Sequence, residues 1–323
     1  MTAAEKPALR AYTKLVALST FVLLLAGGMV TSTASGLAVP DWPLSFGQWM
    51  PPMEGGVLYE HGHRMIAGVV GSMIGIEAIW LWRAEPRRWV RTLGWISLGG
   101  VIAQALLGGL TVLMRLPDAI SVSHAGLAEL VFGLTVVIAL VCSEGWREAA
   151  ESGRPVDAGV PSLFTIGVVA SVLVFLQIVL GAIVRHTGAG LVIPDFPLAY
   201  GELVPPLVSP AVQLHFAHRV GAVVVAVVAI WVVWRVWRAH RGVSAVTAPA
   251  AALGALVALQ IGLGGWTVLS HKDPWVTTAH LGTGALIFAT TLVLTLRARR
   301  HLRLTPAVAH PPIEPRVDLA EVP

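Results

Sequence analysis

Eight stretches of the chain are dominated by apolar positions, at roughly 14–34, 62–82, 92–114, 122–142, 162–184, 214–236, 248–270 and 277–296. Each is close to the ~20 mostly apolar residues that a helix needs to cross the hydrocarbon of a bilayer. Polar segments rich in Pro and Gly separate them. The pattern predicts an all-α integral membrane protein with eight transmembrane helices.

The segments between the spans are not independent of one another. Residues 36–52, GLAVPDWPLSFGQWMPP, and residues 190–206, GLVIPDFPLAYGELVPP, are identical at nine of seventeen positions at an offset of 154. The likeness continues through EHGHR (60–64) against HFAHR (215–219), QALLGGLTVL (104–113) against QIGLGGWTVL (260–269), and VSHAG (122–126) against TAHLG (278–282). The chain therefore reads as two units of four spans, and an even number of spans makes the repeats parallel, as two four-helix bundles related by a pseudo-twofold. The expected organisation is an N-terminal half (1–142), a polar linker (143–161), a C-terminal half (162–300) and a disordered Pro-rich tail (301–323). The loops 35–60 and 185–213 are longer than a connection requires, and they read as lids over one end of each half. Gly27–Gly28, Gly108–Gly109, Gly181 and Gly264–Gly265 read first as close helix packing and second as room for a flat ligand.

Charge adds orientation. Of the 22 Lys and Arg, only Arg64, Arg115, Arg185, Arg219 and Lys272 fall on the side of the lids, leaving seventeen on the other. By the positive-inside bias, both termini are cytoplasmic and the lids face outward. The net charge of +4 thus reflects topology; it calls for anionic lipid rather than nucleic acid. With 55% hydrophobic and 12% charged residues the composition agrees. The first span has no cleavage-site pattern and reads as retained. The lone Cys142 permits no internal disulfide and reads as a packing residue.

Eleven histidines are spread unevenly. His240, His301 and His310 read as surface residues, and His186 and His271 as residues just outside the membrane. The others sit where even-numbered spans begin. Repeat alignment pairs His63 with His218, each followed by Arg, and His124 with His280. Each half so offers two imidazoles on different helices at similar depth, the arrangement of bis-histidine haem ligation. A zinc site would need three or four ligands together. Helical phase puts Glu60 on the face of His63 and leaves His61 as a bystander; in the other half His215 takes the place of Glu60. A carboxylate beside a macrocycle stabilises positive charge or moves protons. Arg64 and Arg219 are candidate partners of haem propionates. Glu129 and Glu77, acids within spans, are candidate proton-path groups. Gln104 and Gln260 recur at matched positions and suit hydrogen bonds across helices.

These motifs together resemble the haem A synthase family over about residues 15–296, with E-x-x-H-R in one half only. The resemblance implies an oxidoreductase that oxidises the C8 methyl of haem O to a formyl group, giving haem A for terminal oxidases. It implies Glu60 as the catalytic carboxylate, His63 and His124 at a substrate haem O site, and His218 and His280 as ligands of a resident haem b. It also implies the plasma membrane of a prokaryote, with haem sites toward the outer side. Haem O synthase, oxidase assembly factors and an electron acceptor would be its partners. The cysteine pair that some members carry in these loops is absent. A duplicated b-type cytochrome that only carries electrons would need the same four histidines but neither Glu60 nor lids. A transporter with parallel repeats would need a second opening on the inner side.

Overall fold

A computed structural model of the chain describes residues 7–149 and 154–304. Eight long helices carry the fold: α1 (Pro7–Ser32), α2 (Gly56–Ala84), α3 (Arg88–Leu113), α4 (Asp118–Val141), α6 (Leu163–His186), α7 (Pro210–Ala239), α8 (Ser244–Leu269) and α9 (Pro274–His301); a five-residue α5 (Glu144–Glu148) lies in the linker. The eight run 24 to 30 residues and all are apolar enough to span a membrane. Every predicted span lies on one of them.

Helix starts follow local chemistry. Ser162, Ser209 and Asp273 accept hydrogen bonds from the amides of the first turn, and Pro210 and Pro274 occupy the first helical positions, where a missing N–H costs nothing. α1 to α4 form a closed square in which each helix packs on the next, and α6 to α9 form another. The squares meet through α1 on α9, α6 on α4, and α4 on α9, the pairing that a pseudo-twofold relating the halves requires. Small residues line this seam. A Cβ on Gly282 would run into Leu25 at 2.5 Å, and one on Gly133 into Phe288 and Leu292 at 2.9 Å. Such close approach is how helices associate in lipid, where burial of apolar surface offers no driving force.

The duplication reaches into the backbone. Left-handed residues recur at matched places: Ala34 and Gly188, Phe46 and Tyr200, Gly47 and Gly201, Arg115 and His271, Leu116 and Lys272. The bridge Ser45–Gln48 has its counterpart in Ala199–Glu202.

The linker and the end of α9 differ from the sequence reading. Val156–Asp157 (β1) pairs in parallel with Arg303–Leu304 (β2), so the ordered chain extends past 301, where the tail was expected to begin. Asp157 accepts from the amides of Leu163 (2.5 Å) and Gly159 (3.3 Å) and meets Arg235 (3.2 Å) and His240 (3.3 Å). His240, expected at the surface, is 3% exposed in this cluster. Residues 305–323, with His310 and Arg316, and Lys6 lie outside the described residues. Cys142 is buried, which fits a packing residue.

Candidate haem sites

At the loop-bearing end, each long loop is built around one aspartate. Asp41 accepts from the amides of Phe46 (2.7 Å) and Gly47 (2.8 Å), and Asp195 accepts from Tyr200 and Gly201 (both 2.8 Å). Those amides, Gly47 and Gly201 foremost, hold both carboxyls below the ordinary carboxylate range. The loop then folds back on the bundle. Trp42 covers Gly109 of α3 and Phe196 covers Gly265 of α8; a Cβ on either glycine would come within 2.7 Å of the ring.

Arg64 and Arg219 tie the loops to their helices. Arg64 donates through Nη1 to the carbonyls of Asp41 (2.7 Å) and Leu44 (2.9 Å), and through Nη2 to Val39 (3.3 Å). Arg219 donates to Leu198 (2.8 Å), Asp195 (2.8 Å) and Ile193 (3.2 Å). Both guanidiniums are thus turned onto loop carbonyls, a role that residue type alone did not indicate.

The halves diverge where α2 and α7 begin. Glu60, 4% exposed, accepts from the amide of Val39 (2.8 Å) and from Arg64 Nη2 (2.5 Å). At the matched place His215 offers Nε2 to Arg219 Nε at 3.4 Å, so that arginine has a neutral partner. His61 is no bystander: it is buried, and its Nδ1 shares a 2.7 Å hydrogen bond with Ser45 Oγ. The other half has Phe216 and Ala199 there, packed with Ile193 and Val212. Besides the arginine ties common to both, the first loop meets its helix here through a hydrogen bond and the second through apolar packing.

The four paired histidines lie in the first three turns of α2, α4, α7 and α9, two helices that face each other diagonally in each square. Each imidazole rests against a glycine of the preceding helix. A Cβ would stand 3.0 Å from His63 Cε1 on Gly27, 3.2 Å from His124 Cε1 on Gly108, 2.9 Å from His218 Cε1 on Gly181, and 3.1 Å from His280 Cε1 on Gly264. Within each half the two rings are close enough to interact electrostatically, His63 with His124 and His218 with His280.

Second partners separate the four. Gln177 Nε2 lies 3.0 Å from His218 Nδ1 and donates to the carbonyl of His218 (2.7 Å). The matched residue in the other half is Leu23, and His63 Nδ1 is buried with no partner. Gln260 Nε2 lies 3.5 Å from His280 Nε2, and among the described residues neither Gln104 Oε1 nor Gln260 Oε1 has a partner. Among the described residues, both oxygens of Glu77 and Oε2 of Glu129 are buried without a partner. Gln177 and Ser45 went unseen in the sequence; the shelf glycines were visible there, Gly27 with Gly181 and Gly108 with Gly264 at matched places, but read first as close helix packing.

Among the described residues no cluster of three or more His, Cys, Asp or Glu could hold a bare metal ion. Two imidazoles facing across a bundle, with backbone cleared beside each ring, fit a haem instead.

The profile of a family described as cytochrome oxidase assembly protein matches residues 53–292. The chain is 34% identical to a haem A synthase of Symbiobacterium thermophilum over 215 residues, covering 64% of this chain and 69% of the relative. It is 32% identical to that of Shouchella clausii over 221 residues, covering 66% and 70%. With that of Geobacillus kaustophilus it shares 28% identity over 290 residues, covering 88% of this chain and 90% of the relative.

Proposed function

The chain belongs to the cytochrome oxidase assembly protein family, and from that premise we propose that it is a haem A synthase, oxidising the C8 methyl of haem O to a formyl group. The observation that carries this reading is the broken symmetry of two otherwise matched sites. Both halves present a histidine pair on glycine shelves, yet only the N-terminal one has a buried carboxylate at the start of the histidine helix and a Ser–His hydrogen bond between loop and helix. A reacting substrate must enter and leave, whereas a resident cofactor stays.

His63 and His124 frame the substrate haem, and His218 and His280 hold haem b, which supplies reversible one-electron transfer when bound. Taking a methyl to an aldehyde removes four electrons, so an electron acceptor outside the chain is required. Two successive two-electron hydroxylations, each passing its electrons to that acceptor, followed by loss of water from the gem-diol, would achieve it. Glu60 stands ready as a fixed carboxylate to stabilise positive charge developing at the methyl carbon. Its two oxygens are held by Val39 N–H and Arg64, so it needs no reorganisation to act. The loop with Trp42 folded over Gly109 limits water at that end of the bundle. The protein is read as a multi-pass plasma-membrane enzyme with cytoplasmic termini and outward haem sites, served by haem O synthase and by assembly factors that take the product.

Replacing Glu60 by Gln or Ala tests the assignment. Haem content should persist while haem A disappears, and undiminished haem A in Glu60→Ala would remove Glu60 from the mechanism. Haem extraction tests the function itself. Haem O or A beside haem B supports a synthase, and haem B alone would point to an electron-carrying cytochrome.

A further inference from the structure

Arg185 lies at the loop-bearing end of α6, and its side chain crosses the seam between the halves. Its Nη2 donates to the carbonyl of Gly28 (2.8 Å) and to Ser32 Oγ (2.7 Å), both on α1. Gly28 adjoins Gly27, the shelf of His63. Ser32 Oγ shares a 3.0 Å hydrogen bond with Thr278 Oγ1 on α9, two residues before His280. A few short contacts so join α1, whose Gly27 shelves His63, to α9, which carries His280. Arg185 is within electrostatic range of His280, and the next residue, His186, is within range of His124 and of Asp118. At the place matched to Arg185 the first half has Thr31, which makes only a local bond to Gly27 O (3.3 Å).

Charge near the two sites is therefore unequal. The guanidinium beside His63 belongs to Arg64 and is neutralised by Glu60. The one beside His218 belongs to Arg219, which meets neutral His215 and loop carbonyls and, among the described residues, keeps only Asp195 as an electrostatic partner, where Arg64 has both Asp41 and Glu60. Arg185 adds a second positive charge on that side, and among the described residues its hydrogen-bond partners are neutral. Reducing a haem iron lowers its charge by one, so nearby uncompensated cations favour the reduced form.

We propose that Arg185 is a positioning residue for electron flow, clasping α1 to α6 and raising the reduction potential of the haem at His218 and His280 above that of the haem at His63 and His124. With haem held at both pairs, that difference would make electron transfer from the N-terminal to the C-terminal site downhill. This rests on the haem-carrying reading of both halves.

Anaerobic redox titration of the purified holoprotein, following the bands of each haem, tests it with Arg185→Gln, Arg185→Lys and Ser32→Ala. Arg185→Gln should lower the reduction potential of haem b by about 59 mV, so that its oxidised-to-reduced ratio at a fixed ambient potential rises about tenfold for a one-electron couple, with the other haem moving less. Arg185→Lys should retain most of the wild-type potential, and Ser32→Ala, which removes one clasp contact and no charge, all of it. An unchanged potential in Arg185→Gln overturns the proposal. So does a fall in Arg185→Lys or Ser32→Ala as large as in Arg185→Gln, and should Arg185→Gln lose haem b, those two variants decide. The haem reading fails separately if His218→Ala protein retains its haem b.

Discussion

A single added methyl should separate the apo protein from the haem-loaded one. In Gly181→Ala the new Cβ would stand 2.9 Å from His218 Cε1, against 3.4 Å where ordinary contact begins, so the ring must retreat by 0.5 Å. Without haem the imidazole is held only at the end of its side chain by Gln177, a contact that can shift with it. With iron bound to the ring, retreat stretches or tilts the axial bond, and overpacking of this kind costs about 1–3 kcal/mol. At 1.4 kcal/mol per factor of ten, haem b should be released roughly 5- to 150-fold faster. The apo fold should be at least as stable, because Ala is preferred to Gly inside a helix by about 1 kcal/mol. Gly68→Ala and Gly99→Ala are the controls, since nothing lies within 4 Å of a Cβ at either position. The assay is haem transfer to excess apomyoglobin, with haem O and haem B followed separately. Gly181→Ala and Gly264→Ala should release haem B alone, and Gly27→Ala and Gly108→Ala haem O alone. Release at the wild-type rate in Gly181→Ala, or equal acceleration in Gly68→Ala, would refute the shelf argument.

Two further outcomes follow from the loops. Giving the N-terminal loop the residues of its counterpart, as Ser45→Ala with His61→Phe, exchanges a hydrogen bond of about 1 kcal/mol net for apolar burial of about 1.5–3 kcal/mol. Haem O exchange should slow severalfold while haem b release stays unchanged; equal slowing of both haems would count against a latch. Asp41 and Asp195 have depressed folded-state values, so their contribution is complete above the ordinary value of 3.8 and is lost as pH falls through the lower folded value. Amide exchange at Phe46, Gly47, Tyr200 and Gly201 should report loops equally ordered from pH 8 to 5, loosening only below about pH 4. Loosening between pH 6 and 5 would assign loop order to other groups.

What the sequence disclosed and what it hid have separate physical causes. Hydropathy registers chain that meets lipid, so it located all eight helices but began α2 at 62, whereas the helix starts at Gly56. The first turns hold Glu60 and His61, and polar residues there are sheltered by the loop rather than by lipid. The loop itself was opaque because the partners of Asp41, Asp195, Arg64 and Arg219 are backbone amides and carbonyls, which any residue provides. The histidine pairs were legible because imidazole is a scarce side chain in a span and the repeat showed it twice. The glycines beside them were visible but not separable. Gly108 and Gly109 are neighbours of one type, yet a helix turns by about 100° between them. The first takes the ring of His124 and the second takes Trp42, so adjacent glycines serve a ligand and a loop. Gly264 and Gly265 repeat the division with His280 and Phe196, whereas Gly27 takes His63 and Gly28 meets Thr278 across the seam. A Gly-Gly pair in these helices therefore marks two surfaces back to back, and the repeat offset picks out the shelf only where the second glycine is replaced, as by Ala182 after Gly181.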